Sequence, residues 1–449
     1  MSAAHLGLGA FFRAHQAAYT ALAPDASEWG YAAFSGRSAR LAQDLTAQDG
    51  LYSLLVRGPA GEEVSTVGSV AQAHPGSDVR RWLALAAAPE TRLVSLTVTE
   101  AAYHRAPDGG LAFDSPTVAA DLAALRRGAP EECHSIPGRL VAGLAARSRA
   151  GGEALTIVPC DNLPQNGEAV RRVVTDLAAA CGDPELTTWI EQQVSFVSTE
   201  VDRITPRTTP SDVEAVRRLT GLDDRCPVVT EPFSEWTLAG AFPGGRPAWE
   251  EAGAAFVDDV APYERRKLWL LNGAHSLLAY AGGALGHETV ASAMADQRCR
   301  DWVDAWWDDA CRHLSLPADA LSDYRAALLE RFANPAIRHL LAQIAMDGSQ
   351  KLPVRIVPVV LAERDAGRTS TAAARTLGAW IAHLRGGRGG RGMPVSDPLS
   401  DELMALATGP AADAVHRVLE ALDARLLDDP QLVAATLEST IEISRELSR

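Results

Sequence analysis

In the first half of the chain, short runs of β-branched and small apolar residues alternate with stretches of helical period; later the strand-like runs stop. Strand patterns occur at residues 30–34, 48–57, 64–70, 93–100 and 155–158, with a helical pattern at 79–88. Strand and helix in alternation imply a mostly parallel sheet, whose ligands bind beyond the carboxyl ends of its strands. The breaker-rich run P-G-G-R-P at 243–247 sets a domain boundary near residue 258. Beyond it, residues 287–310, residues 318–332 and the tail after Asp397 carry helical periodicity, with Trp302, Trp306 and Trp307 as core positions. The predicted architecture is an α/β Rossmann-type dinucleotide-binding domain over 1–258, followed by a mainly α-helical domain over 259–449.

One helical stretch breaks its own apolar pattern. Tyr263 to Tyr280 reads Y-E-R-R-K-L-W-L-L-N-G-A-H-S-L-L-A-Y. Buried polar groups without partners are costly, so Lys267, Asn272 and His275 need either internal partners or a ligand. At about 100° per residue they fall within an arc of roughly 140° and can look into one cavity. Alone, His275 or Asn272 reads as a satisfied core residue. With a lysine in phase the balance changes, because desolvation lowers the pKa of a lysine towards the range a general base requires.

The glycine pair Gly7 and Gly9 in H-L-G-L-G-A-F-F-R-A-H-Q runs into a helical pattern, as a pyrophosphate-binding turn would, although Phe12 stands where a third glycine is usual. Only four residues precede His5, so the first strand is expected to be very short or to begin further upstream. After the strand at 30–34 no acid appears before Asp44, whereas Arg37 and Arg40 do, which leaves NADP open beside NAD. Thr99 and Glu100 close L-T-V-T-E and are expected near a cofactor. Asp161 and Asn162 lie in the polar elbow after L-T-I-V; turn capping is the plain alternative for Asn162. Asp202 and Arg203 could be an ion pair closing a strand.

The motif K-L-x-x-L-N-G-x-H-S-x-L-A-Y, beginning at Lys267, resembles the signature of the polyol-specific long-chain dehydrogenases, the family of mannitol 2-dehydrogenase and fructuronate reductase. The glycine loop, T-V-T-E, V-S-F-V-S-T-E-V-D-R-I-T-P at 194–206 and the run from Asn334 to Pro353 resemble it too, with Phe12 departing from the family's histidine. The resemblance implies hydride transfer between NAD and a secondary alcohol of a polyol. It assigns Lys267 as general base, Asn162, Asn272 and His275 as catalytic partners, and Glu264 as gate of a proton path. Asp202, Lys351 and Gln343 become substrate contacts; Gly7, Leu8, Gly9, Ala10, Phe11, Arg37, Thr99 and Glu100 become cofactor contacts. Gln343 stands where mannitol 2-dehydrogenases carry arginine and the uronate-reducing branch carries glutamine, so a D-mannonate or fructuronate substrate is the alternative. A polyol phosphate, met by Arg203, Arg207 and Lys351, is a further rival. So is an idle dinucleotide-binding protein, against which the retained Lys, Asn, Asn and His set speaks.

Charge and cysteines narrow the class. With 57 acidic against 42 basic residues the chain carries −15, which argues against a nucleic-acid partner. There is no apolar run of membrane-spanning length and no leader pattern, so the cytoplasm is expected, as a monomer or small homo-oligomer. The six cysteines form no C-x-x-C pair and suggest neither disulfides nor a zinc site; the proposed chemistry needs no metal. The tract G-G-R-G-G-R-G at 386–392 reads as a flexible loop rather than an RNA-binding segment.

Overall fold

A computed structural model describes residues 2–386 and 393–448. It divides into two compact units, Met1–Ala261 and Pro262–Arg449. The glycine–arginine tract lies, from 387 to 392, outside the described residues. Among the described residues no helix is long and apolar enough to cross a membrane.

The strands of the first unit are β1 (Ala3–Leu8), β2 (Tyr31–Ser35), β3 (Tyr52–Gly58), β4 (Gly61–Val67), β5 (Val70–His74), β6 (Leu93–Leu96), β7 (Leu155–Pro159), β8 (Val194–Phe196), β9 (Ser198–Asp202), β10 (Val228–Thr230), β11 (Glu235–Ala239) and β12 (Ala255–Phe256). Six of them form one sheet in the order β5-β2-β1-β6-β7-β8, with every pairing parallel. The strand order reverses between β1 and β6, where open α/β sheets bind ligands beyond the strands' carboxyl ends. Helices cover both faces, so neighbouring residues of one strand enter different cores. Tyr31 and Ala33 join one apolar cluster, Ala32 and Phe34 the other.

Two details differ from the sequence reading. Apart from Val70, which opens β5, the patterns at 48–57 and 64–70 do not join the parallel sheet. They give β3 and β4, an antiparallel hairpin from Tyr52↔Val67 to Gly58↔Gly61 that pairs with β10. Only Pro59 and Ala60 separate the two strands, too few residues for a parallel crossover. β1, expected to be very short, is a full six-residue strand that runs through Gly7, since buried alanines at positions 3 and 4 extend it on the amino side.

The second unit contains no named strand among the described residues. At its centre Ala261–Arg266 is α-helical, Lys267–Gly273 is π-helical, Ala274–Leu277 returns to α, and Leu278–Gly282 is π again. Trp306 and Trp307 are fully buried, as their spacing predicted. Trp302 is half-buried under the Arg375 guanidinium, 4.6 Å from the ring centroid.

Buried neutral histidines make the fold acid-sensitive. Burial pushes His5 down to about 3 and His383 down to about 4, from 6.5. Both states are neutral above 6.5, so nothing is lost there; below it the unfolded chain takes up protons that the native ring refuses. Each residue then removes about 1.4 kcal/mol per pH unit until its folded value is reached. Denaturant unfolding should show stability falling from pH 7 to pH 5 by roughly 2 kcal/mol for each of these two. His383→Leu should flatten its share of that slope, and an unchanged slope would contradict the assignment.

Candidate active site

The glycine loop is built around Gly7. Its φ of 110° is a left-handed value, and a Cβ there would lie 2.2 Å from the carbonyl oxygen of Thr97. Gly9 is different: a Cβ would meet only the Gly7 carbonyl, at 3.5 Å, so its outer side is open to a ligand approaching the backbone. Phe12 is fully buried and stacks on His5 at 3.6 Å. A ring pair thus fills the space that a third glycine would close. The His5 ring bonds Ser95 Oγ at 2.8 Å and Thr97 Oγ1 at 3.0 Å, and Thr97 Oγ1 donates to the Gly7 carbonyl at 2.8 Å. The helix after the loop spans only Ala10–Ala14 before the chain re-forms as Gln16–Leu22.

Of the other predicted cofactor contacts, Leu8 ends β1 in the core, Ala10 opens the helix, and Phe11 stacks on His15 at 5.0 Å. Arg37 is exposed in the turn after β2; Thr99 and Glu100 are exposed just beyond β6.

Asn162 stands exposed at the elbow after β7, which Asp161 fixes from inside. The buried Asp161 carboxylate accepts the Tyr103 hydroxyl and, at 2.9 Å, the Leu163 amide. Burial raises its pKa, and the Tyr103 hydrogen bond opposes that rise. Asn166 ties the elbow to β9, donating to the Thr199 carbonyl at 3.0 Å and accepting its amide at 2.8 Å. Asp202 is buried at the end of β9. The Arg203 guanidinium donates to the carbonyls of Ala14 and Glu231.

In the second unit the π-helical turns alter the geometry expected from α-helical spacing. Bonds of i→i+5 type bring residues five apart to the same side, so Lys267 and Asn272 stand closer around the axis than 140°. Widened turns free carbonyls. Trp306 Nε1 donates to Trp269 O at 2.7 Å, Trp307 Nε1 to Leu270 O at 2.9 Å, and Ser276 Oγ to Asn272 O at 3.1 Å. Gly273 is required because a Cβ would lie 2.6 Å from Trp306 Nε1. Lys267 and Asn272 are half-buried, and Glu264 is half-buried one turn before Lys267.

His275 is buried with its Nε2 unpartnered among the described residues. Its ring lies 4.8 Å from that of Phe332 and edge-on to that of His339 at 4.7 Å. Burial, reinforced by His339, Arg331 and Arg355, holds it well below the usual histidine range, so the ring is neutral. Lys351 donates to the carbonyls of Ile344 at 3.3 Å and Met346 at 2.5 Å, capping the short helix Leu341–Ile344 that carries the exposed Gln343.

The Mannitol dehydrogenase Rossmann domain model matches residues 1–251, and the Mannitol dehydrogenase C-terminal domain model matches residues 259–443. The chain belongs to the mannitol dehydrogenase family. It is an oxidoreductase of that family, as the motif at Lys267 implied. The family's D-mannonate oxidoreductase of Escherichia coli (strain K12) is 38% identical, over 92% of this chain and 87% of its own length. Pseudomonas fluorescens mannitol 2-dehydrogenase, solved as a ternary complex with NAD and D-mannitol, is 34% identical with a TM-score of 0.81, covering 100% of this chain and 93% of that one. D-Sorbitol dehydrogenase in substrate-free form gives a TM-score of 0.90 at 30% identity, covering 100% and 95%.

Sequence reasoning missed three supporting residues. Thr97 could have been found as the first threonine of T-V-T-E. Tyr103 carries no motif. Nor does Arg355, whose guanidinium reaches Ser276 Oγ at 3.2 Å and Asn272 O at 3.4 Å.

Proposed function

We propose that this enzyme reversibly oxidises a secondary alcohol of a polyol of the mannitol–fructose type, with NAD as partner and Lys267 as general base. The observation that carries the reading is His275 Nε2, buried without a partner among the described residues, on the same helix as Lys267 and Asn272. An orphaned buried nitrogen on a neutral ring is suited to a substrate hydroxyl. The open side of Gly9 fits a pyrophosphate against the loop, with Leu8, Ala10 and Phe11 around it and Arg37, Thr99 and Glu100 towards the rest of the dinucleotide. The nicotinamide, when bound, supplies the hydride acceptor. Lys267 takes the hydroxyl proton and Glu264 passes it towards water. Asn162 and Asn272 donate amide hydrogens to the oxygen as negative charge gathers on it. His275 orients the alcohol, while Asp202, Gln343 and Lys351 hold its other hydroxyls. Work in the cytoplasm as a monomer or small homo-oligomer fits this chemistry.

A D-mannonate or fructuronate substrate is the second reading. Arg331 and Arg355 place positive charge near His275, which suits a substrate carboxylate, and Gln343 points the same way. Assay of mannitol, fructose, mannonate, fructuronate and mannitol 1-phosphate with NAD and NADP decides between them. Turnover confined to the two acids would replace the polyol; turnover with none would end the proposal. Lys351→Ala should raise the substrate KM at least about tenfold and leave that for NAD within twofold. Equal changes in both would remove Lys351 and the helix it caps from the substrate site.

A further inference from the structure

We infer that His287, Asp296 and Cys299 of the second unit form a binding site for a zinc-type divalent ion, with a role separate from the proposed chemistry, which needs no metal. They are the one trio of His, Cys, Asp or Glu among the described residues that offers three ligand atoms within 4.8 Å of one another. Asp296 is the N-cap of the helix Gln297–Cys311 and Cys299 lies in its first turn, a spacing that puts both on one face. His287 comes from the turn after the second π-helical segment, and its Nε2 lies 3.4 Å from Asp296 Oδ2. Cysteine spacing gives no sign of the site, since only one of its ligands is a thiol.

The ligand types select the ion. A thiolate, an imidazole and a carboxylate suit zinc and cobalt(II), whereas magnesium and calcium require oxygen ligands. In a tetrahedral zinc site, bonds of about 2.0–2.3 Å set neighbouring ligand atoms roughly 3.3–3.6 Å apart. The imidazole–carboxylate pair already has that spacing, and the sulfur, within 4.8 Å of both, needs only a small shift. Cys299 is fully buried and the other two are half-buried, so an ion enters past the imidazole and carboxylate and meets the sulfur last. Binding takes the thiol as thiolate and releases its proton to solvent, and a water completes the four ligands. The Asp296 oxygens divide their work: Oδ1 caps the helix by accepting the Arg298 amide at 2.9 Å, while Oδ2 faces His287. The Arg298 side chain, 60% exposed, also donates to Oδ2 at 2.8 Å and is the cation that a metal displaces. Beyond His287, Leu341 N donates to Glu288 O and Val290 N to His339 O, each at 3.0 Å. An ion therefore clamps the turn that supports the segment leading into the helix Leu341–Ile344.

Calorimetry on the full chain, first stripped with a chelator, should find one zinc ion per chain with a dissociation constant on the order of 1 μM or tighter. Zinc at about 100-fold that concentration should raise the unfolding midpoint by at least about 3 °C. Cobalt(II) in its place should give a thiolate-to-metal charge-transfer band in the near ultraviolet, lost in Cys299→Ser. His287→Ala and Asp296→Asn should each weaken zinc binding at least about tenfold, and the asparagine keeps the helix cap. Arg298→Ala should tighten binding about threefold, because the competing cation is gone. His287 is half-buried, so its variant, checked for an unchanged metal-free unfolding midpoint, decides the matter if Cys299→Ser fails to fold. Four results would overturn the inference: no zinc binding below about 100 μM, zinc affinity unaltered by His287→Ala and Asp296→Asn, a cobalt complex without the thiolate band, or displacement of zinc by magnesium. None of these measurements needs turnover, so they stand whether or not the catalytic reading does.

Discussion

Lys267→Ala should cut kcat for alcohol oxidation by several orders of magnitude while leaving the dissociation constant for NAD within a few-fold. Loss of one general acid–base group ordinarily costs ~100-fold to ~10,000-fold, and a base that also orders the substrate costs more. The pH profile gives the sharper measurement. In the proposed mechanism oxidation requires the unprotonated amine, so its rate should rise with pH and level off; reduction requires the ammonium and should fall over the same interval. One ionisation is expected, because His275 is held neutral by burial and by nearby cationic groups and does not titrate in that range. In the alanine variant this dependence should vanish, and added small primary amines should restore part of the rate. Near-normal kcat with an unchanged profile would remove Lys267 as the base and with it the proposed mechanism.

The parallel sheet was legible through β1, β2, β6 and β7, whose buried strands leave apolar runs between helical patterns, and not through β5 and β8, which are partly exposed. Where an antiparallel hairpin replaced the expected parallel pair, the deciding feature was the spacing of two residues between β3 and β4 rather than their composition. The helix carrying Lys267, Asn272 and His275 was legible as an element but not as a geometry. Its widened turns depend on indoles from 306 and 307 reaching the carbonyls of 269 and 270, a contact nearly forty positions away. Family membership followed from a motif spanning that same helix. The His5–Phe12 stack was visible only as a missing glycine, since its other half lies at the strand's start.

Asn272→Ala and Asn162→Ala should each lower kcat by ~10²-fold or more without changing the shape of the pH profile. An amide donor stabilises the developing alkoxide but carries no titrating proton, so its loss raises the barrier and leaves the ionisation of the base in place. The two residues are supported differently, and this predicts different side effects. Asn272 holds its backbone within a π-helical turn, where its carbonyl accepts Ser276 Oγ and Arg355 Nη1 whatever the side chain is. Its replacement should therefore leave unfolding midpoints almost unchanged. Asn162 sits on an elbow held by Asp161, Tyr103 and Asn166, so Tyr103→Phe should reproduce part of the Asn162→Ala loss by loosening that elbow. It should do so in kcat rather than in cofactor affinity, because the proposed alkoxide donor is the group displaced. If Asn162→Ala changed only the NAD dissociation constant, the residue would belong to cofactor binding and Asn272 would be left as the sole amide donor in the mechanism. If either variant moved the pH profile itself, the separation of base from charge stabilisation would fail, since only a group coupled to the ionisation of Lys267 could do that.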